Sequence, residues 1–321
     1  MSFHPTPAVS VCLCTYNRSH LLKQTLESVY QQMSSFGESF EIVVVDDGST
    51  DKTTEVLAWA ESTSPVPFRF LTQQNKGVAA ARNACVREAR GTWIAFLDDD
   101  QIAAPRWLME LHRTALETGG DCIGGPSLLL LPNDVSSNPK PTVRRLLGEN
   151  PFFAREPRWF SRFDPRRKAE FVPGTGNVMV RRSLFSDIGG FNESSSIGED
   201  AEFFRKAIRA KARIVASPSA VMYQVVPAAR LQSQYLFPLV EKCASHRAGL
   251  DRSELPKSKL ALLFVLRLGH LAAVVLPSLG FALAFRQPEL ALARHCSLRY
   301  FLAYAGALCP SGELSHPGRT N

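Results

Sequence analysis

Three adjacent carboxylates, Asp98-Asp99-Asp100, follow the apolar run Trp93–Leu97 (WIAFL). At the end of a buried segment they repel one another and cannot all escape into water. Without a counter-ion, one or more would be driven towards protonation. A divalent cation removes the conflict, because Mg2+ or Mn2+ takes one or two carboxylates and completes its shell with phosphate oxygens and water. A second acidic pair, Asp46-Asp47, ends the run Glu41–Val45 and precedes Gly48-Ser49. It can accept hydrogen bonds from a nucleobase or a ribose, or it can cap the next helix, with Gly48 allowing the sharp turn. The third set, Glu199-Asp200, opens a segment containing Phe203, Phe204 and Ile208. There it either complements a helix dipole or serves as a general base towards a hydroxyl of high pKa. Taken singly, each set has an ordinary structural reading: a solvated turn, a cap, or dipole complementation.

The elements that carry these residues form a series. Val9–Thr15, Glu41–Val45, Phe68–Leu71 and Trp93–Leu97 are short β-rich runs that read as buried strands. Between them, helical spacing is expected from Leu21 to Tyr30, from about Asp51 to Glu61, and over Val78–Ala89. Four alternations with short connections imply right-handed βαβ crossovers and a mostly parallel sheet flanked by helices, an α/β fold. Ligands bind at the carboxyl ends of strands in such sheets. Thr15-Tyr16-Asn17, Asp46-Asp47 and Asp98-Asp99-Asp100 all fall there.

From Asp134 to Asp164 the chain is rich in Pro, Arg and aromatic residues with little periodicity, which predicts a long loop or small insert near the site. Regular structure is expected to resume at Asn177–Val180, with a helix from Glu199 to about Ala210 and a strand at Arg213–Val215. The sequence therefore divides into 1–235, the α/β domain, and 236–321, a helical apolar tail. In that tail Leu260–Phe285 is interrupted by Arg267, His270 and Pro277, and Leu290–Leu308 carries Arg294, His295 and Arg299. Helices lying on a membrane or re-entering it, true spans, and a packed soluble tail all remain open.

The net charge of +7 is regional, concentrated between Arg144 and Lys168 and from Lys242 onward. Basic charge beside apolar sequence points to a membrane surface. No basic-aromatic stripe or known module suggests nucleic acid. The seven cysteines show no zinc or CxxC spacing, and Cys12 and Cys14 fall on one face of the first strand, so reduced thiols in the cytoplasm are expected. Met1–Ala8 does not read as a secretory leader.

Six motifs in order, Thr15-Tyr16-Asn17-Arg18, Asp46-Asp47-Gly48-Ser49, Asn75-Lys76-Gly77 with Ala81-Arg82-Asn83, Asp98-Asp99-Asp100, Gly189-Gly190-Phe191-Asn192 and Gly198-Glu199-Asp200, resemble those of the family 2 glycosyltransferases with the GT-A fold. The resemblance runs from about Val9 to Arg230. It implies a nucleotide-sugar donor, a UDP-sugar in preference, and a divalent cation, Mn2+ or Mg2+. Thr15, Tyr16 and Asp46 would hold the base and Asp47 would lie near the ribose. Asp98 and Asp100 would fill the outer positions of a DxD motif and contact metal and diphosphate. Asn17, Arg82, Asp99 and Glu199 would belong to the same nucleotide-sugar site, with Arg205 and Arg230 as diphosphate or acceptor contacts. Asp200 would be the base of an inverting single displacement onto a glycan or lipid-linked acceptor. The enzyme would work as a peripheral or integral protein at the cytoplasmic face of the cell membrane, in cell-surface polysaccharide synthesis.

Two departures from the family pattern stand out. Gln224 occupies a position where relatives often carry histidine, and Arg230-Leu231-Gln232 does not supply the QxxRW signature of cellulose-synthase-like enzymes. The latter favours transfer of single sugars over processive polymerisation. A nucleotidyltransferase would open with a Gly-rich basic loop after the first strand, where Thr15-Tyr16-Asn17-Arg18 stands instead. A non-catalytic nucleotide-sugar-binding protein should have lost an acidic site, and all three are present.

Overall fold

The computed structural model describes residues 6–132, 139–149, 173–194 and 198–308. The chain forms two compact units, one of residues 1–130 with 148–226 and one of residues 131–147 with 227–321.

In the first unit the expected strands form. They are β1 (Val9–Thr15), β2 (Phe40–Asp46), β3 (Phe68–Thr72) and β4 (Trp93–Asp98), paired in parallel in the order β3-β2-β1-β4. Beyond β4 the sheet continues through three strands to a total of seven among the described residues. In chain order these are β6 (Cys122–Gly124), β8 (Asn177–Arg181) and β9 (Ile214–Ala216); β8 runs antiparallel to both β4 and β6. The sheet is therefore mixed and mostly parallel, as expected. The register sets Thr15 opposite Asp46 and Cys14 opposite Asp98, so the polar ends of β1, β2 and β4 finish level at one edge.

Both faces are covered, which explains why the strands read as continuous apolar runs rather than alternating ones. Val9, Val11 and Leu13 face one core with Leu22, Leu26 and Val29 of α1 (Ser19–Tyr30), Leu57 of α2 (Thr53–Thr63), and Trp107 and Leu111 of α4 (Trp107–Thr118). Cys12 faces the other core with Ala81 and Cys85 of α3 (Val78–Glu88), Phe185 of α6 (Arg182–Ile188), and Phe203 and Phe204 of α7 (Glu199–Arg209). Truncating any of the fully buried leucines here to Ala would cost about 2–5 kcal/mol.

A second sheet of three short strands stands beside the site. It comprises β5 (Gln101–Ala103), β7 (Ser127–Leu130) and β10 (Met222–Val225), with β10 in the middle and Gln224 in register with Gln101. Asn177 ties the two sheets together. Its Oδ1 accepts from the Trp107 indole (2.8 Å), and its amide nitrogen donates to the carbonyls of Pro126 (2.8 Å) and Ala220 (2.9 Å).

The β2–α2 loop is anchored by Asp51. Its carboxylate accepts from the Thr53 and Ser19 backbone N–H groups, each at 3.0 Å, and so caps two helices at once. Desolvation pushes this carboxyl up, but hydrogen bonds from Thr53 and Ser19 outweigh it and hold it at about 2. Asp51→Ala is expected to cost about 1–2 kcal/mol at pH 7. A folded-state pKa below the unfolded one gives stability that is present above about pH 4 and lost as pH falls towards about 2. Denaturant titrations should therefore show the penalty shrinking across that window.

The second unit is helical. It contains α5 (Pro141–Leu146), α8 (Ser233–Glu254), α9 (Lys257–Ala284) and α10 (Pro288–Leu308). Helix α9 includes a π-turn at Leu271–Val275 just before Pro277, which lacks the N–H that an unbroken α-ladder needs. By length and composition α9 could cross a membrane. Ala244 and Ala248 of α8 pack on Tyr304 of α10, and Leu279 and Ala282 of α9 pack on Ala291 of α10. Most of the loop or insert expected at 134–164 lies outside the described residues; its described part holds α5, within this unit.

Candidate active site

Asp98 is the last residue of β4, and Asp99 and Asp100 form the tight turn into β5. The counter-charge that the sequence demands is supplied in part by guanidinium groups. Arg18, at the start of α1, donates from Nη1 to Asp99 Oδ1 (2.7 Å) and Asp100 Oδ2 (2.9 Å), and both carboxylates are buried. Burial pushes Asp99 up to about 6, against the pull of Arg18 and with an added push from Asp100. Asp98 is the more open of the three, with 39% of its side chain exposed. Desolvation raises its pKa, with Arg82 opposing.

A pair of glutamines braces this turn from behind. The Asp98 N–H donates to Gln101 Oε1 (2.7 Å), Gln101 Nε2 donates to Gln224 Oε1 (3.0 Å), and Gln224 Nε2 donates to the Asp100 carbonyl (3.3 Å). Gln224, the departure from the family pattern, thus supports the acidic turn through amide hydrogen bonds. Gly176 closes over the same place: a Cβ there would lie 2.7 Å from Asp98 Oδ2 and closer still to Gln101 Nε2, so a side chain would have to displace both.

Arg82, on α3, joins the two acidic groups that lie far apart in sequence. Its Nη1 donates to Glu199 Oε1 (2.7 Å) and its Nη2 to Asp98 Oδ1 (3.2 Å), with the guanidinium 5.8 Å from the Phe191 ring centroid. Arg82 and Glu199 are both buried. Asp200 follows at the start of α7. Desolvation and then the Glu199 charge raise its pKa, with the Ala201 N–H and Arg82 opposing. The backbone at Phe191 is held by Asn83, which donates to the Phe191 carbonyl and accepts from the Phe191 N–H, each at 2.9 Å. Phe185, Phe191 and Phe203 stack beneath it.

At the ends of β1 and β2 the candidate residues divide by what they touch. Asp47 Oδ1 accepts from Gln73 (2.7 Å) and the Lys76 N–H (2.9 Å), and its Oδ2 from the Gly77 N–H (2.8 Å), so it shapes the loop before α3. Asn17, at φ 52°, accepts from the Thr50 N–H (2.8 Å) and joins two loops. Asp46 Oδ1 accepts from the Ser49 N–H (2.9 Å) across the turn at Gly48, which has φ 84°. The buried oxygen Asp46 Oδ2 has no hydrogen-bond partner among the described residues, while against the dominant push of burial the Thr15 hydroxyl lies close enough to Asp99 to lower its pKa. Tyr16 beside them is 46% exposed. An unsatisfied buried carboxylate oxygen calls for a donor, which a base N–H or a ribose hydroxyl would provide. Arg205 is half-buried on α7, where it adds a little to the hydrogen bond from Asn192 and the charge of Lys206 in lowering the pKa of Glu202. Arg230 belongs to the second unit, where it lies over the Tyr235 ring at 5.6 Å.

Among the described residues no three His, Cys, Asp or Glu side chains gather into a metal cage. A hard divalent cation that takes one or two carboxylates and completes its shell from diphosphate and water does not need one. The partly open Asp98 and the adjacent Asp100 offer that kind of donor set. The sequence placed Arg18 in the first motif without a role, and Gln101 was missed. Arg18 carried a signal, since it directly follows Thr15-Tyr16-Asn17 at a strand end, whereas its partner carboxylates could not be read from position alone.

A mostly parallel sheet with carboxylates at the ends of β2 and β4, beside the polar end of β1, has the GT-A architecture. The mannosyltransferase PcManGT from Pyrobaculum calidifontis, solved with GDP-Man and Mn2+, superposes with a TM-score of 0.61 over 95% of this chain and 87% of that one, at 20% identity. The family model for glycosyl transferase family 2 matches residues 10–189, and the chain belongs to that family. The succinoglycan biosynthesis protein ExoM of Rhizobium meliloti is 27% identical over 232 residues, 71% of this chain and 70% of that protein. The validoxylamine A glucosyltransferase of Streptomyces hygroscopicus subsp. jinggangensis is 33% identical over 218 residues, 61% of this chain but only 50% of its own length.

Proposed function

We propose that this protein is an inverting glycosyltransferase. It moves one sugar from a nucleoside-diphosphate donor, a UDP-sugar in preference, to a hydroxyl of a glycan or lipid-linked acceptor in cell-surface polysaccharide synthesis. The work is done at the cytoplasmic face of the cell membrane. The observation that carries the reading is the Arg82 bridge, which brings the Asp98 turn beside Glu199-Asp200. The name of ExoM supports the polysaccharide context, and the GDP-Man and Mn2+ bound to PcManGT support a nucleotide-sugar and a divalent ion.

In this reading Tyr16 stacks on the base, while Asp46 Oδ2 and Thr15 Oγ1 accept or donate at its edge or the ribose. Asp98 and Asp100 would hold the cation, which when bound neutralises charge developing on the diphosphate leaving group. Arg18 and the two glutamines keep the turn in shape. Asp200 takes the proton from the acceptor hydroxyl on the opposite face of the sugar, and its raised pKa makes it the stronger base. Arg82 engages Glu199, which leaves Asp200 as the carboxylate of that pair available for proton transfer.

The test is a thermal-shift series with UDP, GDP and their sugars, with and without Mn2+. A UDP-dependent rise that grows with Mn2+ and is lost in Asp98→Asn is expected. Stabilisation by GDP alone would move the donor to a guanosine diphosphate sugar, and no response to any nucleotide would overturn the reading.

A further inference from the structure

We propose that the outer face of α9 lies flat in the surface of an anionic lipid bilayer, as an in-plane anchor rather than a crossing. This deepens the membrane part of the function proposed above and rests on it. The argument is the direction of the helix's asymmetry. Leu263, Leu271, Val275, Leu279 and Ala282 are buried within the second unit at steps of about one or two turns. The polar contacts of α9 stand on that inner side too. Arg267 reaches the buried Asp251 of α8 (3.5 Å) and lies over the Tyr304 ring at 3.7 Å, and Ser278 accepts from Arg294 of α10 (2.9 Å).

The outer side carries Val265, Leu268, Leu276, Phe281 and Leu283, continued by Phe285 just past the helix end, from 45% to 65% exposed. A helix facing water would place polar residues there. A helix crossing a bilayer differs along its axis, with charges at its ends; α9 differs across its axis, along nearly its whole length. A crossing would also draw the Asp251–Arg267 pair, and Arg294 beside Ser278, into hydrocarbon. Lying flat leaves them on the watery side while the outer face enters the acyl boundary.

Charge selects the surface. Residues 227–308 hold ten Lys and Arg against four Asp and Glu. Exposed Lys257 and Lys259 precede the apolar face and exposed Arg286 follows it, where anionic headgroups would meet them.

The experiment is flotation of the full chain with vesicles of phosphatidylcholine, alone or with phosphatidylglycerol. Binding to the anionic vesicles, released by alkaline carbonate, is expected. Phe281→Ser with Phe285→Ser should weaken partition about tenfold or more while leaving the nucleotide thermal shift unchanged. Neutralising Lys257, Lys259 and Arg286 to Gln should abolish the anionic preference. Cysteines introduced at Ser258 and Gln287, labelled in inverted membrane vesicles with an impermeant maleimide above the background of the parent chain, should both react from the same side. Labelling from opposite sides would overturn the in-plane anchor. So would a soluble dimer that the Phe substitutions dissociate and that ignores vesicles. A missing nucleotide shift beside intact flotation would instead remove the transferase reading alone.

Discussion

Asp200→Asn is expected to lower kcat by about a thousandfold, with UDP affinity changed by less than about threefold. The substitution preserves size and removes only the ability to take a proton. Glu199 cannot stand in, because its carboxylate is buried against Arg82 at 2.7 Å. Burial and the neighbouring Glu199 raise the Asp200 pKa, so the acidic limb of kcat/KM should fall above the ordinary aspartate range and vanish in the variant. The sign follows from the role: a base works ionised, so activity rises as pH passes its pKa. Turnover assays across pH beside nucleotide titrations decide the matter. Loss of UDP binding together with turnover would take Asp200 out of the base role.

The second large effect belongs to Arg82→Ala. Removing one guanidinium leaves Glu199 buried without its counter-charge and frees Asp98 to repel Asp99 and Asp100. Breaking a buried pair in this way costs about 3–5 kcal/mol, and the partial exposure of Asp98 places this case near 3. Urea unfolding should show that loss, with a fall in kcat. Arg82→Lys should recover little, since a single ammonium cannot donate in two directions at once. Adding Glu199→Gln to Arg82→Ala should restore part of the stability by removing the stranded charge. If Arg82 instead held the donor, Arg82→Ala would weaken nucleotide binding with little change in stability.

The parallel half of the sheet was legible because strands covered on both faces must be apolar throughout, and Val9–Thr15 formed with the expected bounds. Gln101–Ala103 and Cys122–Gly124, three residues each, are too short to show any period and went unread, whereas the strand expected at Arg213–Val215 formed one residue further on, at Ile214–Ala216. The site was legible as residue types at strand ends. Who pairs with whom was not: Arg18 meets Asp99 across 81 positions and Arg82 meets Glu199 across 117, and no local pattern encodes such distances. The same limit hid the work of Asp47. Its position beside Asp46 suggested a ligand contact, while its three hydrogen bonds shape the Gln73–Gly77 loop. In α9 the buried stripe is apolar apart from Arg267 and Ser278 and the exposed one is apolar too, so sequence could give its length but not its sides.

The Arg82 bridge also bears on the order of events. In the proposed transferase, one guanidinium shared by Asp98 and Glu199 would link the donor half of the site to the acceptor half. A ligand that draws Asp98 away from Arg82 changes the field around Asp200, and a group that perturbs Glu199 changes how tightly Asp98 is held. By thermodynamic reciprocity, whatever factor a bound donor applies to acceptor affinity, a bound acceptor applies to donor affinity.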